Sequence, residues 1–376
     1  MTSQPVIVIG DGWAALAAVA FLAKAEAQVC WIAGTGSRLL PPLAGMEEGR
    51  GAELWVQLAE SYGVSVGEVQ RGSFLREFRN KSWKEPSWSR IEDPALRVQE
   101  MEGSLWEPER AFVLHNEVRL QKTLLEIEQE LRRVLLSGEI AGVRRREGLP
   151  VSGLLIEEGS IRGVKLGSGE EIDSDRVIYA DRWNMLPTLE NIPKPLSFMR
   201  RRGPMGILQA SFVHQPPLQE GVRESFFASM HKESGEKIER HFWGYVSSEG
   251  QRSVWTLCLS PEEGEDNHEI AKKFRRLKSG LDKFFAGSDL IPSSHETFTS
   301  TLSEEQIRFE EEVLFSEGGP LTTPVALPQV SGLSILTDAY GPSCALEQVG
   351  AALGVQEWGP NPQSKGVDVS HAPALE

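Results

Sequence analysis

The chain has 376 residues, 40% hydrophobic and 25% charged, with a formal net charge of −15. That is globular composition, long enough for two linked domains, and it excludes a disordered chain. The negative field argues against nucleic acid and against an anionic membrane surface as general partners.

Three cysteines, Cys30, Cys258 and Cys344, are widely spaced and odd in number. They support neither a disulfide framework nor a zinc site and fit a reducing compartment. Met1 to Gln4 carry no basic residue, and glycines and Asp11 interrupt the apolar start, unlike a signal peptide. No apolar run approaches the roughly eighteen residues of a membrane span. These features predict a cytoplasmic protein with no integral membrane segment and no nucleic acid partner. A small-molecule substrate is expected, with room for a protein partner or a homo-oligomer.

Pro5 to Ile9 is a β-branched run that leads into Gly10-Asp11-Gly12-Trp13-Ala14-Ala15 and then a helix-forming stretch; a second apolar run follows at Val29–Ile32. This is the strand, glycine turn, helix and parallel strand of a βαβ unit. Gly10 permits the tight turn, Gly12 lets backbone approach a pyrophosphate, and Ala15 packs helix on strand. The helix N-terminus offers free amides to an anion.

At the end of the second strand a ribose-binding acid is expected about twenty residues past the glycines. The chain has Ala33 there, followed by Gly34, Thr35, Gly36, Ser37 and Arg38. Three readings follow: the ribose is held otherwise, Ser37 and Arg38 accommodate a 2′-phosphate in the NADP manner, or the pocket has decayed.

Beyond a Pro/Gly-rich loop, the spacing of Leu54, Trp55, Leu58 and Ala59 predicts a helix stopped near Gly63. Residues 64–114 read as short strands and loops in which Trp83, Trp88 and Trp106 are half-buried in packing or, alternatively, contact substrate. The pattern from Asn116 to Leu136 predicts one amphipathic helix. Strands are expected at 139–143, 153–156, 161–166 and 171–172 as an antiparallel meander, and Val177–Asp181 as a buried strand returning to the first sheet.

Runs at 207–213, 225–230, 241–246 and 253–259 predict a second, antiparallel sheet. Ala271–Phe285 is a basic amphipathic helix expected to pack Phe274, Leu277, Leu281 and Phe284 against it. Near the C-terminus, residues 332–338 form a strand ending in Asp338, followed by Gly341, Pro342 and a helix. Asp338 can contact a cofactor; alternatively Asp338 or Ser343 caps the following helix. Residues from Gly359 onward have the composition of a disordered tail.

The N-terminal VIVIGDGWAALAAVAFLAKAEAQV, the middle SIRGVKLGSGEEIDSDRVIYAD and the late GLSILTDAYGPSCALEQVGAAL resemble the landmark segments of the glutathione-reductase-type FAD oxidoreductases. The amine oxidase and phytoene desaturase branch is nearest in layout. The resemblance implies an α/β fold: a Rossmann-type parallel sheet for FAD or NAD(P), with a discontinuous antiparallel-sheet substrate domain. Residues 1–80, 115–190 and 325–358 would form the dinucleotide-binding domain, 81–114 and 191–324 the substrate domain, and 359–376 a flexible tail.

The same resemblance implies that Gly10, Asp11, Gly12, Trp13, Ala14 and Ala15 line the pyrophosphate. Ala33, Gly34 and Arg38 would lie at the adenosine side. Ile140 or Val143 would offer backbone to the adenine, and Asp338, Gly341 and Pro342 would approach the ribityl chain and isoalloxazine. Ala33 departs from the family pattern, as does Glu26, which replaces the glycine that usually ends the first helix.

Three functions follow: an FAD-dependent oxidoreductase moving hydride from a small or apolar substrate to flavin, a catalytically inactive fold serving as a binding or scaffold module, or an NADP(H)-binding protein. His231, His241, Tyr245, Cys258, Tyr340 and Cys344 are the side chains suited to line a substrate cavity. No metal-ligand cluster, Walker lysine or Ser/His/Asp set is visible in the sequence.

Overall fold

The structure, a computed structural model, describes residues 4–34, 46–47, 49–72, 75–79, 82–84, 117–138, 140–181, 183–194, 196, 199–218, 225–230, 240–246, 250–259, 266–285, 299–315, 324–338 and 341–355. The tail after 358, Trp88 and Trp106 lie outside the described residues.

The first unit follows from the opening residues. Strand β1 (Val6–Ile9) is followed by helix α1 (Trp13–Lys24) and strand β2 (Val29–Ile32). All four residues of β1 are buried because the strand is covered on both faces, as a central parallel strand must be. Val6 and Val8 face one hydrophobic cluster with α1, while Ile7 and Ile9 face a second.

Strands β3 (Met46–Glu47), β4 (Val69–Gly72) and β7 (Glu117–Leu120) form a small sheet in the order β3-β7-β4. Between β3 and β4, helix α2 (Arg50–Ser61) buries Leu54, Trp55, Leu58 and Ala59 as its periodicity requires. Gly63 ends the turn after it at φ +72°, a left-handed conformation that glycine takes without strain.

The amphipathic run from residue 116 divides in two. Its first residues are β7, and helix α3 spans only Leu124–Leu136. Thr123 explains the break: its hydroxyl accepts from the Glu126 amide while the Glu126 carboxylate accepts from the Thr123 amide. That reciprocal capping box starts a helix and excludes an earlier one.

The strand expected at 139–143 is also displaced. Strand β8 is Val143–Arg146, and it runs parallel to β2 instead of joining the meander. The meander itself consists of β9 (Val151–Glu157), β10 (Ser160–Leu166) and β11 (Glu171–Asp173), antiparallel through β10. Strand β12 (Val177–Tyr179) then returns beside β1, and late in the chain β18 (Val325–Leu327) and β19 (Val330–Ile335) close that side.

The parallel order is therefore β19-β12-β1-β2-β8. Helices α1, α2, α3 and the C-terminal helix α5 (Gly341–Leu353) bury one face, and the meander buries the other. This is an α/β, Rossmann-type architecture.

A second, seven-stranded sheet has the order β17-β13-β16-β15-β14-β5-β6. Its strands are β5 (Leu75–Arg79), β6 (Ser82–Lys84), β13 (Met199–Gln215), β14 (Ser225–Met230), β15 (Arg240–Val246), β16 (Arg252–Leu259) and β17 (Thr299–Phe315). Pairing is antiparallel except where β5 meets β14. Strand β17 has no counterpart in the sequence reading.

Helix α4 (Asn267–Phe285) covers this sheet with Ile270, Leu277, Leu281 and Phe285 buried and Phe274 partly so. Phe285 joins the core, while the side chain of Phe284 is outside the described set. Among the described residues, no helix is long and apolar enough to cross a membrane.

Candidate functional site

The carboxyl edge of the parallel sheet is where a doubly wound fold binds ligands, and here residues from four parts of the chain meet. Gly10 turns the backbone off β1 at φ +127°, with the Ala180 carbonyl where a side chain would stand. Gly12 opens α1 without a side-chain cap from its own neighbourhood. Trp13, Ala14 and Ala15 follow, all buried.

The cap comes from the other end of the protein. Asp338 Oδ1 accepts a 2.7 Å hydrogen bond from the Ala14 amide, and its Oδ2 fills the space a side chain on Gly12 would need. Asp338 thus caps α1. The loop carrying it is fixed by Gln348, whose buried amide accepts from the Thr337 N–H at 2.9 Å and donates to the Thr337 carbonyl at 3.2 Å. Helix α2 is treated alike: it too lacks a local side-chain cap, and Glu347 of α5 accepts from the Gly51 amide. The C-terminal segment therefore lends one carboxylate to each of two helix N-termini, which the helix dipoles favour.

Asp11 organises the other half of the edge. Its Oδ2 accepts from the Gly34 amide at 2.7 Å, and its Oδ1 accepts from Arg145 at 2.6 Å and Arg132 at 3.2 Å. Arg132 also donates to the Asp11 carbonyl and to Glu128, and Arg145 to Glu147. Both guanidinium groups lie over the Trp31 ring, at 4.2 Å for Arg145 and 5.2 Å for Arg132. The Trp31 indole in turn donates to the Gly10 carbonyl at 2.8 Å.

Burial works against the charge on Asp11, but the hydrogen bonds from Arg145 and Gly34 and the charges of both arginines outweigh it. They hold its carboxyl below the ordinary value. Asp11 is ionised in the fold.

Of the residues expected at this site, Gly10, Asp11, Gly12, Trp13, Ala14, Ala15, Ala33, Gly34 and Asp338 come together here, and Gly341 and Pro342 begin α5 just beyond Asp338. Val143 stands apart. It pairs with Val29 at the amino end of β8, while Arg146, paired with Ile32, marks the end nearest the glycine turn. Arg38 lies outside the described residues.

Arg132, Arg145 and Trp31 were not singled out by the sequence. The three consecutive arginines 144–146 at a strand end and the i,i+4 pair Glu128–Arg132 are the signals that could have found them.

Among the side chains suggested for a substrate cavity, Tyr245 and Cys344 are buried. His241 and Cys258 lie on β15 and β16, and His231 and Tyr340 are outside the described residues.

The site's donors suit an oxyanion. The amide of Ala14 already holds one at 2.7 Å, supplied by the chain itself, and the glycine at position 12 leaves room for a group that approaches the backbone.

No protein-family model matches the chain, and no curated protein matches it in sequence. Solved structures do match. An oxidoreductase from Methanosarcina mazei aligns with a TM-score of 0.57 at 14% identity, over 93% of this chain and 100% of that one. The myxobacterial chondrochloren halogenase CndH, a variant of the FAD-dependent halogenases, aligns at 0.54 and 15% identity over 94% and 73%. Iminodiacetate oxidase from Chelativorans sp. BNC1 aligns at 0.53 and 16% over 92% and 93%. The chain spans 65% of the length of a further match, a peptidyl tryptophan dihydroxylase. The shared property is the fold, one common to FAD-dependent oxidoreductases and halogenases.

Proposed function

We propose that the protein is an FAD-dependent oxidoreductase with the layout of the amine oxidase and phytoene desaturase branch, acting on a small or apolar substrate held against the seven-stranded sheet. The observation that carries the reading is the meeting of Asp338 with the Gly12–Ala14 turn. Capping accounts for a carboxylate at this helix N-terminus; a shared dinucleotide accounts in addition for the glycines that leave the backbone there open to a phosphate.

In this reading Gly10, Gly12 and the amides of Trp13, Ala14 and Ala15 would hold the pyrophosphate, and Asp338 would bind the ribityl hydroxyls. Gln348 keeps the Asp338 loop in reach. Bound FAD would supply the redox chemistry by accepting a hydride. The chain's own part is to orient substrate and cofactor and to exclude water.

Purified protein tests this directly. Yellow protein with stoichiometric FAD by mass spectrometry, or colourless protein that takes up FAD on reconstitution, supports the proposal. Protein that neither contains nor takes up flavin overturns it.

A second reading, a fold without catalysis that serves as a binding or scaffold module, is favoured by one specific observation: the chain's own Asp338 occupies the amide that a phosphate needs. Turnover of any amine or polyene by the flavin-loaded protein would dispose of it.

A further inference from the structure

We infer that Asp11 sets the specificity of the adenosine end of this site, selecting a dinucleotide with a free ribose 2′-hydroxyl and rejecting one with a 2′-phosphate. The inference deepens the cofactor reading and rests on it for the statement that an adenosine lies at this edge.

The end of β2 carries no acid of its own, since Ala33 and Gly34 stand there. Yet a carboxylate is present at that place: Asp11 Oδ2 lies 2.7 Å from the Gly34 amide nitrogen. The carboxylate beside the end of β2 thus comes from the middle of the glycine turn and not from the strand itself. A carboxylate there accepts a hydrogen bond from a ribose hydroxyl and repels a phosphate.

The two arginines resemble a phosphate site, but each is already ion-paired with carboxylates, Arg145 keeping one buried nitrogen, Nη1, without a hydrogen-bond partner. Arg132 is shared by Asp11 and Glu128, and Arg145 by Asp11 and Glu147. Among the described residues two cations face three carboxylates here, and Asp181 Oδ1 lies 2.7 Å from where a side chain on Gly34 would begin. A 2′-phosphate would enter this set against a net negative charge in a partly desolvated place. A hydroxyl would not: an ionised carboxylate has about four acceptor positions, and Gly34, Arg145 and Arg132 use three of those on Asp11.

The probes are ADP-ribose and 2′-phospho-ADP-ribose, titrated calorimetrically into the purified protein. The wild type is expected to bind ADP-ribose at least tenfold more tightly. Asp11→Asn is expected to shrink that ratio about tenfold by freeing Arg145 and Arg132, and adding Ala33→Asp to Asp11→Asn to restore it.

Equal binding of the two probes by the wild type overturns the inference even if no variant folds, and so does an Asp11→Asn ratio equal to wild type. Binding of neither probe, together with failure to take up FAD, overturns the cofactor reading itself. Binding of ADP-ribose without discrimination removes only the role of Asp11.

Discussion

The Asp338 carboxylate accepts the amide hydrogen of Ala14, 324 residues earlier in the chain, at 2.7 Å. Helix α1 begins with four amides that have no partner inside the helix, and no neighbour in sequence caps it. In the proposed cofactor reading the protein thus carries its own anion where the ligand's would lie. A negatively charged ligand must therefore compete with Asp338 for the Ala14 amide.

Replacing Asp338 makes this competition measurable. Asp338→Ala removes a cap and should cost about 1 kcal/mol of stability. The same change frees the Ala14 amide, so ADP-ribose, which has no ribityl chain, should bind about fivefold more tightly, the equivalent of that 1 kcal/mol. Urea unfolding and calorimetric titration of the same sample read the two effects; weaker ADP-ribose binding by the variant would refute the competition.

Gly12 and Asp338 should be coupled. The backbone at Gly12 is ordinary, at φ −78°, so the nearest obstacle that an alanine meets there is the Asp338 carboxylate. Gly12→Ala should destabilise by about 1–3 kcal/mol through overpacking and lose most of that penalty in an Asp338→Ala background, a non-additivity that a double-mutant cycle reads. Gly10→Ala should find no such relief. Its φ of +127° and the Ala180 carbonyl both oppose a side chain.

The substitution of Glu26 for the glycine expected at the end of α1 has a visible consequence. Ala27 donates to the Leu22 carbonyl and Glu26 to that of Ala23, which is a Schellman closure, and Glu26 sits in the left-handed region at φ +59°. A side chain there is strained. Glu26→Gly should therefore raise stability by about 0.5–1 kcal/mol, read as a higher urea midpoint at unchanged slope; a lower midpoint would count against the closure.

How far the sequence was legible depends on the range of the interaction. The β1-α1-β2 unit could be read because its signals are local: a β-branched run, two glycines and a second run. Strand β7 was hidden because Val118 falls at helical spacing with the residues after it, and only the Thr123–Glu126 box separates the two. Strand β8 was displaced because three of its four residues are arginines, unusual in a strand until Asp11 and Trp31 are seen to hold one of them.

Strand β17 was missed because its many glutamates lower its β-propensity, yet pairing with β13 along its length decides its conformation. The role of Asp11 was least legible. It depends on Arg132 and Arg145, 121 and 134 residues away, and no local pattern encodes that.

Gln348 tests how the late loop is held. Its side-chain amide satisfies both backbone groups of Thr337. Gln348→Leu would remove both of these buried hydrogen bonds, costing about 2–4 kcal/mol, and would loosen the segment that carries Asp338. Amide hydrogen exchange should then rise at Ala14 as well as at Thr337. Faster exchange at Thr337 alone would mean that Asp338 is positioned by something else.

The second sheet contains a titration that should shape the pH dependence of stability. His214 is buried between two serines, with Ser300 Oγ 3.0 Å from Nδ1 and Ser253 Oγ 2.7 Å from Nε2. Ser253 Oγ also accepts from the Trp255 indole at 2.9 Å, and of the two imidazole nitrogens one can donate to a serine while the other accepts. This arrangement holds a neutral imidazole, and burial lowers the His214 pKa to about 4.

In the unfolded chain the same group titrates near about 6.5. As the pH falls between these values, the unfolded state takes up a proton that the folded state refuses, so stability is lost across that window and is fully present only above it. The loss amounts to about 3 kcal/mol by pH 4. His214→Asn keeps a polar group for the serines without titrating, so the stability difference between wild type and variant should move against the wild type by about that amount from pH 7 to pH 4. A difference that stays constant over the range would show that the folded protein protonates His214 as readily as the unfolded chain does.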